Sequence, residues 1–307
     1  MRTSEPRPST PLGIWLLLGA GILILGASAI LIRLAGVQAD GIDPRALVVW
    51  RLLVTLALLA PFGIARRAEF AEVTRRDLAL TVLSGLFLGL HFLAWFASLA
   101  FTDVASASVL VTTSPVFIVV LGVVWFRERP PAVTLAAIGV AVAGSVLLGT
   151  SEPTEGAFPQ AALGNGLAAF AAAAIAVYLV VGQRVRGRLS FLAYFIPLNA
   201  VALGVALAAC ALGGVPLALP LPAIGMCAAM ALGPGLLGHG SLSTAVRYVP
   251  AAFVGLLTLA EPVVSTLLAY GLFGEVPSAL GVVGMALVLV SLGAVIVSKR
   301  SAGKSEN

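Results

Sequence analysis

Residues 111–130 read Val-Thr-Thr-Ser-Pro-Val-Phe-Ile-Val-Val-Leu-Gly-Val-Val-Trp-Phe-Arg-Glu-Arg-Pro. After Pro115 the chain runs to Phe126 without a charge, then turns abruptly to Arg127-Glu128-Arg129-Pro130. That change of polarity is the signature of a helix leaving hydrocarbon for water. Extended back to residue 103, the segment reaches the ~20 residues that a spanning helix requires. The rest of the chain has the same character. Its 307 residues are 60% hydrophobic and 10% charged, with a mean hydropathy of +1.09, whereas soluble domains carry about 25% charged residues. A soluble protein has no way to hide so much apolar surface, because it also needs a polar shell. A bilayer removes that requirement.

Working outward, helices are predicted at 12–36, 44–64, 78–101, 103–126, 131–150, 162–184, 190–212, 221–246, 249–273 and 277–298. Turn residues separate them, as in Asp40-Gly41-Ile42-Asp43-Pro44 and Gly213-Gly214-Val215-Pro216. The basic residues orient them. With the N-terminus inside, the inner segments hold Arg2, Arg7, Arg66, Arg67, Arg75, Arg76, Arg127, Arg129, Arg184, Arg186, Arg188, Arg247, Lys299, Arg300 and Lys304, which is 15 of the 18 Lys and Arg. Arg33, Arg45 and Arg51 remain, on or near the outer ends of the first two helices, and the loops 151–161 and 213–220 carry none. The expected fold class is therefore all-α membrane, with ten transmembrane helices and both termini cytoplasmic, in a bacterial-type inner membrane. Ala27-Ser28-Ala29 imitates a signal-peptide cleavage site. Losing the first helix would break the even count and put the charge-rich loops on the wrong side, so the segment is read as retained.

The opening stretch also recurs. Pro115 precedes Glu128 by 13 residues, and Pro262 precedes Glu275 by the same 13. An offset of 147 pairs Phe101 with Tyr248, Ala105 with Ala252, Leu110 with Leu257, Phe126 with Phe273 and Pro130 with Pro277. The fourth and ninth helices thus read as copies within units of five. Five is odd, so the second unit enters the membrane in the opposite sense, the inverted-repeat plan of many secondary transporters. The organisation is an N-terminal tail (1–11), a first repeat (12–150), a linker (151–161), a second repeat (162–298) and a C-terminal tail (299–307).

Other residues carry a family resemblance. Gly89-Leu90-His91-Phe92-Leu93-Ala94-Trp95-Phe96-Ala97-Ser98-Leu99, the run Ala105 to Phe117 and Arg127-Glu128-Arg129 resemble the EamA family of the drug/metabolite transporter superfamily. So do Ala245-Val246-Arg247-Tyr248-Val249-Pro250-Ala251-Ala252 and Ala260-Glu261-Pro262-Val263 through Glu275 in the second half. The resemblance covers nearly the whole chain as two EamA domains. It implies an inner-membrane carrier, often an exporter of amino acids or related metabolites. Relatives often show Asn-Trp where this chain has Leu242-Ser243-Thr244.

Polar residues deep in the spans are the candidates for substrate binding or coupling. Glu261 lies mid-helix, where a charged acid costs ~3 kcal/mol on insertion scales. It therefore faces a cavity, finds a partner or holds a proton, and proton coupling and amine binding both follow. Arg51 sits ~10 Å inside the outer end of its helix. Substrate-carboxylate binding, a pair with Glu261 and snorkelling to the headgroups remain open for it. His91 and Trp95 share a helix face; the imidazole suits a proton relay and the indole a flat or cationic ligand. Thr112, Thr113 and Ser114 either bond the backbone one turn back or line a path. Asn199, His239 and Tyr178 complete the set. Glu128 and Glu275, at helix ends, are read as structural.

Other classes find little support. No basic run interleaves with exposed aromatics as nucleic-acid binding requires. Cys210 and Cys227 sit in apolar stretches and resemble neither a disulfide framework nor a metal site. Gly233-Pro234-Gly235-Leu236-Leu237-Gly238 has dinucleotide-fingerprint spacing, but no strand precedes it, and it is read as breaking or thinning the eighth helix. No cofactor, metal or catalytic residue is expected. The partners are a small-molecule substrate, the lipid bilayer and protons as a coupling ion. The leading function is alternating-access transport, in the export direction, of a small organic metabolite. A channel or scaffold, and a membrane-embedded enzyme, are the alternatives; neither a charged ring nor a paired-acid motif is visible for them.

Overall fold

Prolines and small polar side chains set where the helices start. Asp43 caps α3 (Pro44–Ala65), its carboxylate accepting from the Arg45 amide at 2.9 Å, with Pro44 in the first turn where no amide donor is needed. Thr74 and Asp77 form a capping box on α4 (Arg75–Phe101), so this helix begins three residues before the predicted position 78.

The structure, a computed structural model, describes residues 11–37, 41–102, 104–127, 130–149, 159–274 and 276–304. The described residues are helical, without a strand. The first predicted span is two helices, α1 (Leu12–Gly26) and α2 (Ser28–Leu34), broken at Ala27. After α3 and α4 come α5 (Val104–Val111), α6 (Ser114–Phe126) and α7 (Ala132–Gly149). The second half holds α8 (Ala161–Arg186), α9 (Phe191–Leu212), α10 (Leu221–Met230), a π-helical segment (Ala231–His239), α11 (Gly240–Ala245), α12 (Ala251–Thr258), α13 (Glu261–Phe273) and α14 (Ala279–Lys304). Among the described residues eight stretches are long and apolar enough to cross a membrane, and two more, Ala132–Leu147 and Ala279–Ala294, are shorter apolar helices. The Pro234 region widens the eighth span into π turns but leaves it continuous from Leu221 to Ala245. Glu128 and Glu275 lie outside the described residues.

The fourth and ninth spans, predicted as single helices, are both interrupted. The breaks fall at Thr112-Thr113 and Leu259-Ala260, one offset of 147 apart, just before Pro115 and Pro262. Proline lacks the amide that would close the previous turn, so the carbonyls of Val111 and Thr258 lose their intrahelical donors. The second segments also end alike, in the left-handed region, at Arg127 (φ 52°) and Gly274 (φ 70°), again 147 apart.

Packing follows the repeats. Helix α3 packs on α9, α6 on α12 and α7 on α14, three pairs that join equivalent spans of the two halves. Likewise α4 lies against α8, while its counterpart, the α10–π–α11 span, lies against α1. Small residues permit the close approaches: a Cβ on Gly85 would stand 2.6 Å from the Leu198 carbonyl of α9. Such contacts replace the hydrophobic drive that is missing between helices in lipid.

Candidate functional site

At the centre, where the broken helices meet α1–α4, α8 and the π segment, the side chains leave an empty space of about 650 Å³, its open mouth included. Among the candidates, Arg51, His91, Trp95, Thr112, Ser114, His239 and Glu261 line it, together with Ser28, Ser108, Thr258 and Ser265. Phe92, Leu25, Val111, Ile175, Leu179 and Leu242 supply apolar wall. Both repeats contribute. Ser114 and Glu261 hold the same position in the two copies, each opening the helix after the break.

Arg51 is only 2% exposed, so it does not snorkel to the headgroups. Nor does it pair with Glu261: among the described residues no acid lies within 4.0 Å of it. Its guanidinium carbon stands 4.0 Å from the centre of the Phe92 ring and 5.8 Å from that of Phe96. Its Nη2 has no hydrogen-bond partner. Glu261, half-buried at the start of α13, has no ion pair or side-chain hydrogen bond among the described residues. One turn on, the Ser265 hydroxyl donates to the Gly26 carbonyl at 2.6 Å and ties α13 to the end of α1.

The two histidines meet across the repeats, with ring centroids 6.0 Å apart. His91 Nδ1 lies 2.9 Å from the Ala171 carbonyl. A carbonyl only accepts, so Nδ1 carries the proton of this contact. His239 sits edge-on to Phe92 at 5.0 Å and beside Tyr178 at 6.2 Å, and its Nδ1 has no partner.

Three candidates do not line the cavity. Thr113 turns its hydroxyl back to the Leu110 carbonyl at 2.7 Å, the structural option of the two expected for it. Thr112 both lines the cavity and bonds back to Ser108 at 2.8 Å. Asn199 donates to the Phe195 carbonyl at 2.7 Å within its own helix, beside the turn that Pro197 loosens. Tyr178 stands behind His239, with its ring 6.2 Å from the imidazole and its buried hydroxyl without a hydrogen-bond partner. Conversely, sequence reasoning passed over Ser108, Thr258 and Ser265. Spacing held the signal for Ser265, which lies four residues after Glu261 on the same face of α13, whereas Ser108 and Thr258 reach the cavity from the segments before the two breaks.

A helical membrane protein whose two repeats enclose a central polar cavity between broken helices has the architecture of a membrane transporter. The chain belongs to the EamA-like transporter family, which matches it twice, over residues 11–150 and 162–297. It is a multi-pass membrane protein of the drug/metabolite transporter superfamily. No curated protein matches it significantly. A solved structure, described as "Crystal structure of protein", has a similar fold with a TM-score of 0.76 at 20% identity, over 95% of this chain and 99% of that one.

Proposed function

We propose that the protein is a secondary carrier that exports a small organic metabolite, an amino acid or related compound, across a bacterial-type inner membrane by alternating access. In this reading ten spans form two inverted repeats, 12–150 and 162–298, with cytoplasmic tails and linker 151–161 between them. The observation that carries the reading is the cavity: both repeats line it, and the helix breaks at 112–113 and 259–260 sit beside it. Broken helices give a carrier two things at once, polar backbone ends next to the substrate and hinges about which half a span can tilt.

Reconstituted liposomes test it. Uptake of radiolabelled amino acids should saturate and be accelerated by the same solute loaded inside, as only a carrier's reorienting site allows. Flux that rises linearly with concentration and ignores the trans solute would show a channel instead. Protons are the proposed coupling ion, exchanged at Glu261, a cavity acid with no ion-pair partner among the described residues. A Glu261→Gln variant should lose uptake driven by a pH gradient while keeping exchange at equal pH. Full pH-driven uptake in that variant would remove Glu261 from coupling.

A further inference from the structure

Among the described residues two arginines are buried, and they are held in opposite ways. Arg186, 2% exposed, donates from Nε to the Ser243 carbonyl at 2.9 Å and from Nη1 to the Leu189 carbonyl at 2.6 Å. Its donors are spent on backbone oxygens that tie the end of α8 to α11 and to the loop before α9, which is how a structural arginine is satisfied. Arg51 is buried to the same extent yet donates no side-chain hydrogen bond among the described residues, and it is held by the faces of Phe92 and Phe96. A ring face answers part of the charge but none of the N–H donors, which point outward in the guanidinium plane. Two more buried polar atoms on cavity-lining residues lack partners, Ser108 Oγ and His239 Nδ1. An unpaired buried cation and unpaired donors are costly unless a ligand completes them.

We propose that the cavity recognises its substrate by a single carboxylate. That group binds Arg51, with the Ser108 hydroxyl and His239 as further donors, and an apolar or aromatic body packs on Phe92 and Trp95. This rests on the carrier reading and narrows its substrate to organic monoanions, zwitterions included, against neutral and purely cationic solutes. A single negative charge suits the site because Arg51 is its one fixed cation among the described lining residues, and Glu261 shares the space.

The test uses the full chain in detergent, with ligand pairs that differ only in charge: phenylacetate against phenylacetamide, and 3-methylbutanoate against 3-methylbutanamide. Titrations followed by tryptophan fluorescence should show at least one acid binding roughly 10- to 100-fold more tightly than its amide, the worth of a charge-assisted hydrogen bond. Arg51→Gln should remove that preference without weakening the amide, and Arg51→Lys should keep part of it. If neither acid binds, if the amides bind as well as the acids, or if Arg51→Gln retains the preference, the proposal is overturned. The ligand pairs on the wild type decide the matter even where a variant fails to fold. Saturable flux of neutral solutes, unchanged in Arg51→Gln, would sink the anion site and leave the carrier standing; absence of saturable flux for every solute would sink the carrier itself.

Discussion

At the residue scale, what distinguishes a working polar group from a structural one is how its hydrogen bonds are spent. Arg186 bonds two carbonyls, so replacing it leaves both without a donor. Arg186→Gln should lower stability by about 1–3 kcal/mol. Arg51→Gln removes a buried charge that has no protein counter-ion and should leave stability unchanged or raise it. Thermal unfolding in detergent checks both, and a large loss at Arg51 would show that it holds the fold. Outside the membrane, Glu69 makes a comparable contrast. The Ser190 hydroxyl, which caps α9, donates to its carboxylate, and Arg66 pairs with it at 3.2 Å; the two hold its carboxyl below the usual glutamate range. A lowered carboxyl pKa contributes stability above the unfolded value, about 4.3, and loses it as pH falls through the folded one. The turn over residues 67–72 should therefore lose amide protection, measured against the intrinsic exchange rate at each pH, below about pH 4.3, and Glu69→Gln should show that weaker protection already at neutral pH.

At the element scale, the 147-residue register governs helix breaks and helix ends alike. Pro115 and Pro262 interrupt their spans at equivalent points, and both spans close in a left-handed residue. One copy places glycine there and the other Arg127. The left-handed conformation costs an L-residue about 1–2 kcal/mol. Gly274→Ala should destabilise by that amount, and Arg127→Gly should recover part of it; opposite shifts in melting temperature are the expected result. Equal shifts of one sign would contradict this account of the two caps. The sequence aligns the two prolines, but both spans read as single helices, so the breaks appear only in the structure although the missing amide behind them is a local property. It did not show the break at Ala27, where no proline stands, nor the π turns around Pro234. Those depend on what α1 meets: Gly21 and Gly26 approach Ser241 and Val264 so closely that a Cβ at either would collide.

At the scale of the whole molecule, stability rests on close approach between small residues. Gly85→Leu would drive a side chain into Leu198 and Val201 of α9 and should cost about 1–3 kcal/mol by overpacking; a melting curve of the purified variant measures it, and an unchanged curve would show that the α4–α9 seam can open. The membrane class, the repeat and the conspicuous cavity residues were legible in the sequence for one reason. Charge and ring nitrogens are expensive in hydrocarbon, so Glu261, Arg51, His91 and His239 stand out wherever they occur. Serine and threonine do not stand out, since a helix satisfies their hydroxyls internally. Ser108, Thr258 and Ser265 therefore carry no mark in the sequence, while the hydroxyl of Thr113 and the amide of Asn199 bond their own backbone and stay out of the cavity lining. Composition, charge placement and the spacing of prolines by themselves determined a repeated helical membrane protein. Which face of each helix looks into the cavity, and that Arg51 and Glu261 share it without pairing, only the tertiary structure decided, because helix rotation and inter-helix distance are set by packing between segments that the linear chain keeps far apart.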